Sequence, residues 1–85
     1  HGGLISAFAD QALGRAVWLE NGNRPAVTFQ LSVSFLGAGS LDDLLICEVE
    51  LVHRTKTLFF MRGKIMSGSR PVADAAGTWK VLHSG

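Results

Sequence analysis

One helix-like segment followed by four strand-like segments constrains the fold more than any other feature of the chain. From Leu4 to Trp18, apolar side chains recur at the three- and four-residue spacing of a buried helix face. From Val27 to Phe35, apolar and polar residues alternate, as in a strand with one buried face. Further strands are predicted over Leu44–His53, Thr57–Met66 and Val72–Leu82. This order predicts an α+β fold, in which one long helix packs on a four-stranded antiparallel meander.

Length and composition predict a single small domain over residues 1–85 that assembles with copies of itself. Hydrophobic residues make up 47% of the 85 residues and the mean hydropathy is +0.25, a high value for so small a soluble monomer. The net charge of +1 gives no electrostatic reason to expect nucleic acid or a membrane surface as partner. No segment is long and apolar enough to predict a membrane span. The single cysteine, Cys47, favours a cytoplasmic location, since no internal disulfide is possible.

The opening segment, HGGLISAFADQALG, carries the strongest indication of chemistry. Gly2 and Gly3 lead directly into the predicted helix, whose N-terminus has unpaired backbone N–H groups and partial positive charge. Such a terminus can hold an oxyanion, and glycine lets a carbonyl group approach the backbone closely. Asp10 is the only acid on an otherwise apolar helix. Together these residues predict an oxyanion site with a general base or a nucleophile.

The order of these segments resembles one protein family along nearly the whole chain. HGG before an apolar helix containing AD, the strand AVTFQLSVSFLGAG and the hairpin HRTKTLFFMRGKI are similar to hotdog-fold acyl-CoA thioesterases, particularly the phenylacetic-acid-degradation type. The resemblance covers His1 to about Leu82. It implies a helix wrapped by a sheet, with the sheets of two subunits joined edge to edge. In this family a further strand, and a loop with an asparagine that binds the thioester carbonyl, precede the HGG motif. This sequence starts at the motif, so we expect both to be absent. The edge of Leu44–His53 would then be exposed.

The resemblance also implies roles for individual residues. The Gly2 N–H would polarise the thioester carbonyl, and Asp10 would activate water or attack the carbonyl directly. Thr28, expected on the polar face of its strand, would orient the water; otherwise it is an ordinary strand threonine, as Asp10 could be an ordinary solvated acid. His1 would position the loop or contact the thioester. Gly3 would belong to the substrate-binding loop, although both glycines could simply permit a tight entry into the helix.

The spacing of the two principal residues predicts a site shared between subunits. Asp10 lies eight residues after Gly2, which corresponds to about 12 Å along a helix axis. One carbonyl and its attacking water cannot contact both within a single helix. Two antiparallel helices related by a two-fold axis would bring Gly2 of one chain close to Asp10 of the other.

Other polar residues give no specific signal. Arg54, Lys56, Arg62, Lys64 and Arg70 could contact the phosphates of coenzyme A, or could form an ordinary solvated hairpin. Cys47 lies among apolar strand residues and is expected to be a core residue. The spacing of the histidines does not predict a metal site, and coenzyme A is expected only as part of the substrate, without a separate cofactor.

Three functions are therefore considered. The first is hydrolysis of an acyl-CoA thioester to the free acid and coenzyme A. The alternative is a non-catalytic hotdog module that binds acyl-CoA, or a truncated remnant of an enzyme. A hotdog dehydratase ranks last, because the predicted helix contains no histidine that could pair with an acid for proton removal.

We predict that the folded protein is a homodimer or homotetramer, because its apolar fraction is high and the predicted site needs two chains. Sedimentation at micromolar concentration should give a mass of at least twice the 9.1 kDa of one chain. A compact species of about 9 kDa would contradict this prediction.

Overall fold

The computed structural model describes residues 2–37 and 44–82, which form one helix and four strands. The elements are α1 (Gly2–Glu20), β1 (Ala26–Phe35), β2 (Leu45–Arg54), β3 (Leu58–Ser67) and β4 (Arg70–Val81). All strand pairings are antiparallel, and α1 packs on one face of the sheet. The α+β prediction is confirmed, and each element begins and ends within two residues of its predicted bounds.

The strand order differs from the predicted meander. The sheet has the order β1-β4-β3-β2, so only β2, β3 and β4 form a meander, while β1 pairs with β4. Short connections force β2 to pair with β3 and β3 with β4, because they contain only residues 55–57 and 68–69. Residues 36–44 between β1 and β2 are long enough for the chain to cross to the far edge. Within the described residues, β1 and β2 therefore form the two edges of the sheet.

The contact between α1 and the sheet is a narrow apolar stripe. Residues four apart fall on one face of a helix, and the four at the centre of this face are buried: Ile5, Ala9, Leu13 and Val17. The sheet contributes Phe59, Ile65 and Trp79 from β3 and β4 to the same core. Ala73 and Ala75 of β4 are also buried there.

The end of α1 is defined by Asn21 and the two residues after it. The buried Asn21 side-chain amide donates a 2.9 Å hydrogen bond to the carbonyl of Val17. Gly22 and Asn23 then adopt φ values of 72° and 62°, which turn the chain out of the helical conformation. The chain can thus enter β1 directly after the helix.

Trp79 packs between two glycines that differ in how much space they leave. A Cβ atom at Gly77 would lie 2.7 Å from the backbone oxygen of Gln30 and 2.8 Å from the Trp79 ring, closer than packed atoms approach. A Cβ atom at Gly14 on α1 would lie 3.5 Å from the Trp79 indole nitrogen, which is an ordinary contact. Gly77 is therefore required by the contact between β4 and β1, whereas Gly14 is not required by packing.

We predict opposite stability changes for the two glycine substitutions. Gly77→Ala should lower the free energy of unfolding by about 1–3 kcal/mol, because the backbone of β1 or the Trp79 ring must move. Gly14→Ala is the matched control and should raise it by about 0.5–1 kcal/mol, since alanine favours a helix interior. Urea denaturation followed by Trp fluorescence measures both. A stable Gly77→Ala variant would refute this account of the β1–β4 contact.

Candidate active site

Asp10 lies at the border of the buried stripe of α1. Its neighbour Ala9 is completely buried, whereas Gln11 on its other side is exposed and Asp10 itself is half-buried. Because α1 is oriented so that Ala9 is buried, the Asp10 carboxylate points along the sheet surface and not into bulk solvent. Across from it, the Thr28 hydroxyl of β1 donates a 2.9 Å hydrogen bond to Oδ1 of Asp10.

Thr28 reaches Asp10 because β1 contains a β-bulge. Thr28 pairs with Trp79 and Gln30 pairs with Thr78, which leaves Phe29 as an extra residue. Directly opposite residues share a face of the sheet, so Thr28 faces α1 together with the buried Trp79. The prediction that Thr28 lies on the polar face was wrong, because regular alternation would have grouped it with Gln30. No sequence signal marks the bulge, since Phe29 continues the apolar alternation that Leu31 and Val33 follow.

The Thr28 hydrogen bond holds the carboxylate in one orientation and leaves one of its oxygens open. Among the described residues, Oδ2 of Asp10 makes no hydrogen bond with protein. A carboxylate of this kind can take a proton from a water molecule, or can attack an electrophilic carbon itself. Asp10 and Thr28, predicted separately from the sequence, thus form one hydrogen-bonded pair.

The N-terminus of α1 is the second part of the candidate site. The helix begins at Gly2, two residues before the predicted start at Leu4, and its first turn contains no acidic residue that would offset the positive end of the helix dipole. Gly3 is exposed, and a Cβ atom there would meet nothing within 4 Å. His1, the other predicted substrate-binding residue, lies outside the described residues.

Within one chain, the two parts of the site stay apart. α1 is continuous from Gly2 to beyond Asp10, so eight residues of regular helix separate them by about 12 Å. The structure therefore brings Asp10 to Thr28 but does not bring Asp10 to Gly2.

The three arginines among the predicted phosphate-binding residues, Arg54, Arg62 and Arg70, have interaction partners within the chain. Arg62 pairs with Asp74 at 3.2 Å on the face of the sheet away from α1. The Arg54 guanidinium lies 4.6 Å from the centre of the Phe59 ring and donates to the carbonyl of Glu20 at the end of α1. Lys56 and Lys64 are exposed. These positions do not converge on the Asp10–Thr28 pair, so they do not identify a phosphate site.

Cys47 has none of the features of an activated nucleophile. Partial burial raises the pKa of its thiol, and the neighbouring Glu48 carboxylate raises that pKa further. The thiol therefore stays protonated near neutral pH, and it packs beside the core as the sequence predicted. Across residues 2–37 and 44–82, no group of three His, Cys, Asp or Glu side chains is arranged to bind a metal ion. In the same residues, no helix has the length and apolar character that crossing a membrane requires.

Comparison with known proteins identifies the family to which the chain belongs. A model of the thioesterase superfamily matches residues 1–73. The "Putative esterase PA0474" of Pseudomonas aeruginosa is 32% identical over 80 residues, which cover 93% of this chain and 60% of the relative. The chain therefore spans less than two thirds of the length of this curated relative.

Solved structures share the fold. The "Hypothetical Thioesterase Protein" of Streptococcus pneumoniae TIGR4, solved with coenzyme A, has a TM-score of 0.81 and 32% identity, covering 99% of this chain and 67% of that one. Two variants of this protein, one with an aspartate and one with a threonine replaced by alanine, have also been solved. BH2602 of Bacillus halodurans with CoA has a TM-score of 0.83 and 29% identity, covering 96% of this chain and 55% of that one. The hotdog thioesterase fold expected from the resemblance is confirmed.

Proposed function

Because the chain belongs to the thioesterase superfamily, we propose that it hydrolyses an acyl-CoA thioester to a free acid and coenzyme A, with Asp10 as the reacting carboxylate. The observation that carries this proposal is the Thr28–Asp10 hydrogen bond. It orients a half-buried carboxylate with one open oxygen, in a fold whose solved relatives bind coenzyme A. An aspartate and a threonine are also the residue types replaced in the two variants of the pneumococcal relative.

The reaction needs a base or a nucleophile on one side of the carbonyl and hydrogen-bond donors on the other. In the general-base route, Asp10 takes a proton from water as the water oxygen bonds to the carbonyl carbon. The tetrahedral oxyanion then collapses, the C–S bond breaks, and the coenzyme A thiolate takes a proton. In the nucleophilic route, Asp10 attacks first and forms a mixed anhydride, which water then hydrolyses. In both routes the oxyanion accepts hydrogen bonds from the N-terminus of α1.

The donors and the carboxylate come from two copies of the chain in this proposal. The 12 Å helical separation of Gly2 and Asp10 exceeds the size of a carbonyl and one water molecule. β1 carries Thr28 and forms one edge of the sheet within the described residues, so an interface on this edge would bring a second copy next to Asp10. With the two helices antiparallel across a two-fold axis, each dimer has two equivalent sites.

The glycine at position 3 supports the proposal that a ligand binds at the start of α1. Its backbone is helical, it has no positive φ, and the surrounding space within one chain would accept a side chain. Glycine in a helix is less stable than alanine by up to about 1 kcal/mol. Packing and backbone conformation within the chain therefore do not explain the glycine at this position. The close approach of a thioester to the backbone N–H groups would explain it.

We predict that Asp10→Asn lowers kcat for acyl-CoA hydrolysis by at least about 100-fold, because the base or nucleophile is lost. Thr28→Ala should cost about tenfold, the effect of one hydrogen bond to a charged group. Asp74→Asn is the matched control, since this acid pairs with Arg62 on the opposite face of the sheet, and it should retain activity. Release of coenzyme A thiol measures turnover, and sedimentation checks assembly.

Two results would count against the proposal. If Asp10→Asn retains turnover while the wild-type protein is active, Asp10 is an ordinary surface acid. If the wild-type protein binds acyl-CoA in calorimetry but releases no thiol, the chain is the non-catalytic binding module considered above.

A mixture of two inactive variants tests the shared site. Gly2→Pro removes the donor N–H at a position where a helix tolerates proline, and Asp10→Ala removes the carboxylate. A mixed dimer has one site with both defects and one intact site. Co-refolding equal amounts should restore about a quarter of the wild-type activity, because half of randomly paired dimers are mixed and each has one working site. If the mixture stays inactive while native mass spectrometry detects mixed dimers, both groups act within one chain.

A further inference from the structure

The C-terminal end of α1 carries a concentration of positive charge. Three segments meet there, since backbone hydrogen bonds join residues 80–82 to residues 54–58 and to residues 20–26. Glu20 is the only acid of these segments, whereas they contain four cations: Arg24, Arg54, Lys56 and Lys80. The whole chain has a net charge of only +1, so this end is more positive than the rest of the molecule and attracts anions.

Two of these cations, Arg24 and Arg54, are held at adjacent carbonyl groups of the helix end. Arg54 Nη1 donates to the carbonyl of Glu20 at 3.4 Å, and Arg24 Nε donates to the carbonyl of Asn21 at 3.1 Å. The two donor nitrogens therefore lie within about 10 Å of each other. A guanidinium group has several further N–H donors, so both side chains can still bind an oxyanion.

Local structure fixes both arginines at the helix end. The Asn21 side chain accepts a 3.1 Å hydrogen bond from the Arg24 N–H and donates one of 3.1 Å to the Arg24 carbonyl, which orders the turn. Arg54 follows a register shift in β2 and pairs with the buried Phe59 of β3. Its guanidinium lies 4.6 Å from the centre of that ring, on the side of the sheet that faces α1.

Capping of the helix explains one of these arginines but not both. A cation stabilises the negative end of a helix dipole, whereas a second cation nearby adds repulsion between like charges. Within residues 2–37 and 44–82, neither Arg24 nor Arg54 forms an ion pair with a carboxylate. An anion bound between the two would offset the repulsion, and the oxygens of a phosphate match the planar donor geometry of arginine.

The distance of the two arginines from Asp10 fits the length of an acyl-CoA. Asp10 lies ten residues before Glu20 on α1, which is about 15 Å along the helix axis. The pantetheine arm of coenzyme A joins the thioester sulfur to the first phosphate through about thirteen bonds, as many as in just over four peptide residues, and reaches about 15 Å when extended. In the proposed dimer, α1 of the second copy begins beside Asp10 and runs toward Gly2. That helix therefore does not cover the end of α1 at Glu20.

We propose that Arg24 and Arg54 bind the phosphate groups of coenzyme A at the C-terminal end of α1. This inference rests on the proposed acyl-CoA substrate and adds the residues that recognise its nucleotide part. It does not depend on the chemical step at Asp10. The basic residues expected from the sequence did not identify the site because Arg24 was not among them. A free phosphate ion has the same chemistry, so the experiment separates these two sources.

Calorimetric titration with coenzyme A and with pantetheine, which lacks the phosphates, tests the site. The wild-type protein should bind coenzyme A at least about tenfold more tightly than pantetheine. Arg24→Gln and Arg54→Gln should each weaken coenzyme A binding about tenfold, because each removes a charge-assisted hydrogen bond. Neither should change pantetheine binding.

Two further variants control for charge and for geometry. Arg62→Gln is the matched control, since it removes the same charge on the face of the sheet away from α1, and it should bind coenzyme A as tightly as the wild type. Arg54→Lys should fall between Arg54→Gln and the wild type, because lysine keeps the charge but not the planar donors. Urea denaturation checks folding. If Arg54→Gln does not fold, Arg24→Gln, whose side chain is exposed, still tests the site.

The remaining outcomes separate this inference from the proposed function. Coenzyme A binding that is unchanged in both glutamine variants, or weakened equally for coenzyme A and pantetheine, would overturn the phosphate site. If inorganic phosphate binds the wild type but not these variants, while coenzyme A binding is unaffected, the arginines bind free phosphate and the assignment to coenzyme A is wrong. If the expected binding pattern appears but acyl-CoA releases no thiol, the proposed hydrolysis fails while the phosphate site stands. A wild-type protein that does not bind coenzyme A refutes both.

Discussion

The burial of one helix stripe against the sheet determines where the candidate site residues of α1 lie. Ala9 and Leu13 are completely buried, so α1 cannot rotate without exposing the centre of the core. Asp10, one residue after Ala9, is therefore fixed at the border between helix and sheet, on the side where β1 runs. α1 is also continuous from Gly2 onward, which separates its N-terminus from the carboxylate. Packing thus orients the acid, and the continuous helix makes a single chain insufficient for a site that needs both groups.

The bulge in β1 supplies what the helix alone cannot. A regular strand would turn the Thr28 hydroxyl away from α1, and Asp10 would then lack its hydrogen-bond donor. The extra residue instead places Thr28 opposite Trp79 and leaves Phe29 exposed at the edge. Gly77 permits this arrangement, because any larger residue would collide with the backbone of Gln30. One local irregularity therefore connects the packing of Trp79 with the orientation of Asp10.

The sequence predicted the elements well because their periodicities are strong. The spacing of Ile5, Ala9 and Leu13 can only bury one face of a helix, and the turn at Gly68 leaves β3 and β4 no other pairing. The position of β1 was not predictable in the same way, because the long connection to β2 permits either neighbour. The bulge was not predictable from the sequence either, since Phe29 is as apolar as Leu31 and continues the same alternation. The sequence thus identified Asp10 and Thr28 as candidates but not their contact. The cytoplasmic location and the phenylacetic-acid-degradation branch stay predictions.

The most direct test of the shared site is a crystal structure of the protein with a hexanoyl-CoA analogue in which a methylene replaces the thioester sulfur. The ligand carbonyl oxygen should lie about 3 Å from the Gly2 nitrogen of one subunit. The Asp10 carboxylate of the other subunit should approach the carbonyl carbon from the opposite side, directly or through one water molecule. A carbonyl bound away from both groups, or held by Gly2 and Asp10 of the same chain, would contradict the account.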